Sequence, residues 1–308
     1  MTDSHTEMIK TIAVIDLETN GLPWQQRNTC AITELSIYAF SSACLSGHKE
    51  DSLFKELDDD LQIAEKRQPP MLPRVLHKIT MMINPNKEIH PDAAKMSGLT
   101  NSLLENEAPF DENTANCLFM FLERLEAPVC FVAHNGWSFD YPIIRYVLQT
   151  INKTMPSSIF CIDTMKAFRE FDEKELQINS IKEQLQQMEL NSNRGAITTT
   201  TTTNNCDIIP TKLTLAAETE KRLFAINQYR EVFSKPFTPA TRLPQKGVYV
   251  LGNIYERIFH EKAANLHRAE ADVEVLTKLI LHYGLVFLAY VEERKQSFDE
   301  VLPLGSRC

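Results

Sequence analysis

Short apolar runs rich in β-branched residues recur through the first half of the chain and predict strands. The clearest are TIAVI and VCFVA, which contain no charged residue. Runs of this kind are typical of strands that are buried on both faces of a sheet. Three further runs have a similar composition but include polar residues. The predicted strands are Thr11–Ile15, Ile32–Phe40, Arg74–Ile83, Val129–Ala133 and Ser158–Ile162.

Segments with helical spacing of apolar residues alternate with these runs. Between Asp111 and Leu125 apolar residues recur every three or four positions, and Asp111 is a suitable N-cap. Alternation of strands and helices is typical of an α/β layered domain. The charged segment Asp51–Lys66 is interpreted as a surface helix or loop. The predicted helices are Pro91–Gly98, Asp111–Leu125, one that includes Ile143 and Leu148, Leu213–Phe233, and Ala269–Tyr283.

The pattern changes after residue 171. Residues 172–190 are rich in Glu, Lys and Gln, and residues 191–207 include a run of threonines that no packed core can use. Residues 234–247 contain several prolines and are interpreted as a linker. The rest of the chain is long enough for one domain without 172–246. We therefore expect a single domain over 1–308 with a flexible, low-complexity insertion at 172–246.

Composition and charge restrict the function. The formal net charge is −9, so the chain is not suited to coat nucleic acid, and bound metal ions would have to supply positive charge locally. Seven widely spaced cysteines without a C-x-x-C pair favour a reducing intracellular compartment. The apolar stretch Tyr283–Val291 is about half of the ~20 residues that a membrane span needs. Because the first residues also lack a secretory signal, we expect a soluble protein of the cytoplasm or nucleus that binds no membrane.

Acidic residues lie where predicted strands end and predicted helices begin. Asp16 and Glu18 follow the first strand two positions apart, so both carboxylates project to one side at the carboxyl edge of the sheet. Ligand sites of open α/β sheets lie at this edge. Asp140 and Asp272 each lie near the start of a helix. Taken alone, these residues are more typical of a polar strand end or of helix-dipole compensation.

The four carboxylates together favour a metal-dependent hydrolase. Clustered carboxylates repel each other by about 4 kcal/mol per pair at ~4 Å, and divalent cations would neutralise them. Ligands that are all oxygen favour Mg²⁺ or Mn²⁺ over zinc, and two such ions can promote cleavage of a phosphodiester. His267 cannot share a helix face with Asp272, since five positions rotate by about 500°. We therefore predict that His267 lies on the loop before the helix and acts as general base.

Three motifs carry a specific resemblance to a known family. They are DLETNGLP from Asp16, HNGWSFDYP from His134 and HRAEADV from His267. Together they resemble the exonuclease motifs of the DEDDh superfamily, and most closely those of the three-prime repair exonucleases (TREX type). The stretches LPRVLHKITMMINP, AAKMSGLT, DENTANCLFMFL, FCIDT and YVLGNIYERIF support this. The resemblance covers nearly all of the chain outside 172–246.

The resemblance implies a fold, an activity and a set of site residues. The fold would be ribonuclease H-like, an α/β fold with a mixed β-sheet flanked by helices, in a homodimer. The activity would be 3′–5′ removal of nucleoside 5′-monophosphates from single-stranded or frayed DNA 3′ ends, in DNA degradation or repair. Two Mg²⁺ ions, or Mn²⁺ in their place, would be the cofactors. The implied roles are metal ligand for Asp16, Glu18, Asp140 and Asp272, general base for His267, and substrate contact for Leu22, Met96, Phe139 and His134.

The chain also departs from the family pattern. His77 replaces an acidic residue that is usual in the third strand, and Trp137-Ser138 changes the loop before Asp140. A hydrophobic C-terminal tail is absent, which favours the soluble branch of the family. Two alternatives remain open. The first is a 3′–5′ exoribonuclease of the same superfamily, since discrimination of the 2′-OH depends on pocket details. The second is a catalytically inert dimer that binds nucleic-acid ends, although a dead site has no need of a self-repelling cluster.

Overall fold

The computed structural model describes residues 7–46, 68–195, 212–237 and 245–306. The segment Asp51–Lys66 and the threonine run, for which the sequence makes predictions, lie outside these ranges. Six strands form one sheet. They are β1 (Thr11–Thr19), β2 (Ile32–Ser41), β3 (His77–Met82), β4 (Val129–Ala133), β5 (Ile159–Asp163) and β6 (Gln296–Ser297).

The sheet has the strand order β3-β2-β1-β4-β5-β6. β1, β4 and β5 are parallel neighbours, whereas β2 runs antiparallel to both β1 and β3, and β6 runs antiparallel to β5. Helices lie on both faces of this sheet. The mixed sheet and its flanking helices confirm the predicted ribonuclease H-like α/β class.

The helices that the sequence predicts begin and end near the predicted residues. The side chain of Asp111 accepts a hydrogen bond from the backbone N–H of Thr114, so it is an N-cap as predicted. The last amphipathic helix has the predicted bounds. The helices are α1 (Pro91–Ser97), α2 (Asn101–Leu104), α3 (Glu112–Glu123), α4 (Asp140–Thr150), α5 (Thr164–Glu173), α6 (Glu175–Gly195), α7 (Lys212–Phe233), α8 (Leu251–Phe259), α9 (Ala269–Tyr283) and α10 (Leu285–Arg294).

Alternate residues of β1 point to opposite faces of the sheet and enter two separate cores. Ile12 and Val14 belong to the core that includes α9 and α10, whereas Ala13 and Ile15 belong to the core beneath α3 and α4. Because side chains alternate along a strand, the even-numbered positions that follow Val14 continue on the α9 face. The strand thus directs its acidic end toward the helix that carries the last acidic motif.

α6 and α7 occupy much of the segment 172–246. The sequence predicts the helix α7 but places it in a flexible insertion, and that interpretation is wrong for α7. Tyr229 and Phe233 are buried, and the Phe233 ring lies 5.4 Å from that of Tyr290 on α10. The apolar face of α7 completes the core, although the polar composition around it conceals this in the sequence. The extent of the domain stays a prediction.

α9 and α10 meet at Gly284, which has a positive φ of 54°. Over the ranges that the structure describes, no single helix has the length and apolar composition needed to cross a membrane. α9 and α10 reach these criteria only as a pair, and the pair is bent by 101°.

Candidate active site

Three carboxylates from the two ends of the chain converge at the carboxyl edge of the sheet. Asp16 and Glu18 lie on β1, and Asp272 lies in the first turns of α9. One carboxylate oxygen of each lies within 4.8 Å of the others. Oxygen ligands at such separations suit a hard divalent cation. The structure therefore brings together three of the four predicted metal ligands in a geometry that can hold an ion.

Asp140 adds the fourth carboxylate from α4. It is the first residue of that helix, is 1% exposed, and faces the backbone N–H of Leu17. Its Oδ1 atom has no hydrogen-bond partner among the described residues. A buried polar atom without a partner costs about 1–3 kcal/mol, and more when it is charged. A cation at this edge would remove that cost, so the donor set fits a metal centre.

Burial and mutual repulsion raise the pKa values of these acids. Burial is the largest cause that raises the pKa of Asp16 well above its ordinary range, followed by the charges of Asp140 and Asp272. Burial, followed by the neighbouring carboxylates, raises the pKa of Glu18 to about 8. Burial also raises the pKa of Asp272, to about 6, against the opposing effect of His267. These raised pKa values favour the protonated acids in the metal-free cluster, and a cation would displace the protons.

His267 lies on the loop that enters α9. Its side chain is exposed, its φ is 69°, and its backbone N–H donates a 2.7 Å hydrogen bond to Oδ2 of Asp272. The structure thus places the predicted base beside a predicted ligand, with the imidazole directed to solvent. A histidine in such a position can exchange protons with water.

Two further acids support the site, and the sequence motifs do not mark them as site residues. Asp163 ends β5 and accepts hydrogen bonds from the backbone N–H groups of Asn135 and Met165, at 3.1 and 2.9 Å. It therefore fixes the loop that leads to Asp140. Asp163 is the N-cap of α5, and an Asp directly before a predicted helix is a detectable N-cap signal. Glu34 lies on β2 directly opposite Glu18, and only the strand register reveals this.

Two of the predicted substrate contacts are exposed apolar side chains on neighbouring segments. Leu22 is 46% exposed and Met96 is 57% exposed. The loop that carries Leu22 is joined to the start of α1 by a 2.8 Å hydrogen bond from the His90 N–H to the Asn20 carbonyl. Phe139 directly precedes α4 and is partly buried. Their role in binding a substrate stays a prediction.

The ring nitrogens of His134 make hydrogen bonds within the protein. Its Nδ1 lies 3.0 Å from Oγ1 of Thr164, and its Nε2 lies 2.7 Å from the carbonyl oxygen of Tyr249. Burial lowers the pKa of the ring. Both nitrogens are therefore hydrogen-bonded within the protein, and a contact of His134 with the substrate stays a prediction. The imidazole instead joins the HNG motif to α5 and to the segment before α8.

Comparisons with known proteins agree with the motifs. No family model matches the chain. The chain is 24% identical to "Three prime repair exonuclease 2" of Mus musculus over 297 residues, which span 96% of the chain and 92% of that protein. It is 31% identical to "Three-prime repair exonuclease 1" of Bos taurus over 166 residues, or 52% of the chain and 48% of that protein.

A search of solved structures finds exonucleases. One is described as "3'-end specific recognition of histone mRNA stem-loop by 3'-exonuclease". It has a TM-score of 0.49 and 10% identity, and the match covers 97% of this chain and 94% of that one. The assignment to a family of similar proteins rests on the sequence relatives and not on this solved structure. The similarity to the Mus musculus protein spans nearly the whole chain, and it confirms the resemblance to the three prime repair exonucleases that the three motifs indicate.

Proposed function

We propose that this protein is a metal-dependent 3′–5′ exodeoxyribonuclease that releases nucleoside 5′-monophosphates from DNA 3′ ends. One observation carries the proposal. Three carboxylates converge at the carboxyl edge of the sheet, and the charge of a fourth, Asp140, adds to their mutual repulsion. The relatives of the chain are named three prime repair exonucleases. Such a cluster is costly unless cations neutralise it, and cations at a phosphodiester promote its hydrolysis.

The ligand set proposed for the cations is Asp16, Glu18, Asp140 and Asp272. All donors are carboxylate oxygens, which favours two Mg²⁺ ions, with Mn²⁺ as a substitute. When bound, the ions supply positive charge that neutralises the carboxylates and favours attack of water on the phosphate. Asp140 contributes the buried oxygen that has no partner among the described residues. Asp163 accepts a hydrogen bond from the backbone N–H of Asn135 and so fixes the loop that leads to Asp140.

His267 is the proposed general base. Its imidazole is exposed at the mouth of the site, and its backbone is held by Asp272. A neutral imidazole carries one ring nitrogen that can accept a proton from the attacking water. The side chain can then return that proton to solvent. This role requires access to water, and the exposed position supplies it.

Three apolar side chains are proposed to hold the last bases of the strand. Leu22 and Met96 expose large apolar surfaces, and Phe139 adds an aromatic ring at the start of α4. Contacts of this kind favour unpaired bases, because every base has a flat face and paired bases are already stacked. We therefore propose single-stranded or frayed 3′ ends as the preferred substrate.

A homodimer is part of the proposal. β3 lies at one end of the sheet and pairs only with β2 among the described strands. An unpaired edge strand can pair with the same strand of a second copy about a twofold axis. Sedimentation equilibrium tests this directly, and Thr80→Pro, which interrupts β3, should shift a dimer toward the monomer.

A substrate comparison tests the proposed activity. Purified protein with Mg²⁺ should degrade single-stranded DNA faster than RNA of the same sequence, and the products should be nucleoside 5′-monophosphates. Faster loss of RNA would identify an exoribonuclease. Binding of 3′ ends without any product would identify an inert end-binding protein. Either result would overturn the proposal.

A further inference from the structure

Helix α9 begins without a capping hydrogen bond from the side chain of its N-cap residue. Its N-cap residue is Arg268, whose side chain makes no capping hydrogen bond. The first backbone N–H groups of a helix need an acceptor from elsewhere. Oε2 of Glu34 on β2 accepts from the backbone N–H of Ala269 at 3.2 Å, and the N–H of Glu270 also faces this carboxylate. A strand residue thus caps the helix across 235 positions of sequence.

The position of Glu34 is unfavourable unless this cap compensates for it. Glu34 is 3% exposed and lies directly opposite Glu18 in the β1–β2 register. Like charges at directly opposed positions of a sheet are destabilising. Glu34 is not among the three carboxylates whose oxygens converge on one point. Its compensation comes from the start of α9, where the N–H groups and the helix dipole favour a negative charge.

A second contact fixes the same turn of α9 to the same strand. The hydroxyl of Tyr38 donates a 2.8 Å hydrogen bond to Oε1 of Glu270. Tyr38 is four residues after Glu34 and lies on the same face of β2. Nζ of Lys78 on β3 in turn donates to the Tyr38 hydroxyl at 2.8 Å. The first turn of α9 is therefore attached to the sheet at two points.

We propose that Glu34 is a positioning residue for the reaction. By holding the start of α9 on β2, it keeps Asp272 and the His267 loop in the arrangement that hydrolysis requires. The inference rests on the proposed function, because it assigns Glu34 a role through two residues of that site. It predicts a kinetic effect that a general loss of packing would not produce.

Two substitutions of Glu34 separate the effect of the capping oxygen from the effect of the negative charge. The substrate is the 4-nitrophenyl ester of thymidine 5′-monophosphate, which reports hydrolysis without any contribution from the binding of a long DNA strand. Glu34→Ala should lower kcat by about 10- to 10²-fold with little change in KM, since a displacement of about 1 Å can have this effect. Glu34→Gln should recover much of the rate, because its amide oxygen can still accept the Ala269 N–H.

A matched control and a double mutant distinguish positioning from folding. Glu170 is also buried, at 1% exposed, and pairs with Lys174 and Arg294 away from the site. Glu170→Ala should lower Tm without lowering kcat. In the His267→Ala background most of the effect of Glu34→Ala should disappear, since residues that act as a unit are not additive. A full, additive loss in that background, without recovery by glutamine, would overturn the proposal.

Hydrogen exchange tests whether Glu34 holds the start of α9, and it does so without any activity assay. The amides of Ala269 and Glu270 should be protected in the wild type and in Glu34→Gln but should exchange faster in Glu34→Ala. Unchanged exchange in the alanine variant would overturn the proposal, whatever the kinetics show. A wild type that hydrolyses no phosphodiester would instead contradict the proposed function, and exchange would still show whether Glu34 holds α9.

Discussion

The backbone N–H of His267 is hydrogen-bonded to Oδ2 of Asp272 at 2.7 Å. The φ of His267 is 69°, in a region that costs a residue with a side chain about 1–3 kcal/mol and that persists only where the surrounding structure imposes it. The carboxylate of Asp272 supplies that constraint, so the proposed base and a proposed metal ligand form one structural unit. A change at Asp272 is therefore expected to affect both metal binding and proton transfer.

Loss of the imidazole should affect turnover far more than binding. His267→Ala should lower kcat by about 10²- to 10⁴-fold, the usual contribution of a general base. Binding of DNA 3′ ends in Ca²⁺ should be nearly unchanged, since the carboxylates remain. A higher pH should restore part of the rate, because hydroxide becomes more available.

His260 offers a matched control for that experiment. It is exposed and has a similar φ of 55°, at the end of α8. His260→Ala should keep wild-type turnover. If His267→Ala retained more than about a third of wild-type kcat, well outside the range for a general base, the assignment would be wrong.

The raised pKa of Glu18 predicts how the stability of the metal-free protein depends on pH. The folded pKa is about 8, against an ordinary value of 4.5. Because the folded state holds the proton more tightly, the associated stability is present below pH 4.5 and is lost as the pH rises toward 8. In EDTA, Glu18→Gln should therefore gain in Tm relative to the wild type as the pH increases from 5 to 8. The exposed Glu123→Gln should show no such trend, and a constant difference for Glu18→Gln would refute the argument.

Replacement of Asp140 should preserve or raise the stability of the metal-free protein and should weaken its binding of metal. Asp140→Asn removes a buried charge that repels Asp16, so the metal-free variant should melt at or above the wild-type temperature. The rise in Tm on addition of Mn²⁺ should be smaller than in the wild type, because stabilisation by a ligand follows its affinity. Thermal unfolding with and without Mn²⁺ measures both effects. An undiminished Mn²⁺ response would remove Asp140 from the ligand set.

α7 should contribute to the core. Phe233 is fully buried against Phe171 and Tyr290, so Phe233→Ala should reduce the free energy of unfolding by about 3–5 kcal/mol. Phe224 lies on the same helix but is 45% exposed, and its replacement by alanine should cost about 1 kcal/mol or less. Urea unfolding of both variants is the measurement. Equal, small losses would restore the interpretation of this segment as a dispensable insertion.

The local parts of the fold could be predicted from the sequence. Buried strands such as β1 and β4 are marked by uninterrupted apolar runs, and α9 by its helical spacing. The alternation of side chains along β1 also predicts that Asp16 and Glu18 project together, and the structure agrees.

Contacts between distant segments could not be predicted in this way. The cap that Glu34 provides to α9 depends on strand register and helix docking, and no local pattern encodes it. The burial of Phe233 is likewise hidden, since its helix lies among polar, low-complexity residues. His134 stands in a motif of the site, but its ring packs between α5 and the Tyr249 carbonyl. Only the assembled structure shows which way such a side chain points.

The polarity and metal dependence of DNA degradation test the central claim most directly. A single-stranded oligonucleotide is labelled at either end and incubated with purified protein in Mg²⁺. A 3′ label should be released at once as a mononucleotide, whereas a 5′ label should remain on a ladder of shortening fragments. EDTA or Asp16→Ala should abolish both patterns while the circular dichroism spectrum stays unchanged. Early release of the 5′ label, or undiminished degradation in EDTA or by Asp16→Ala, would contradict the proposed metal-dependent 3′–5′ exonuclease.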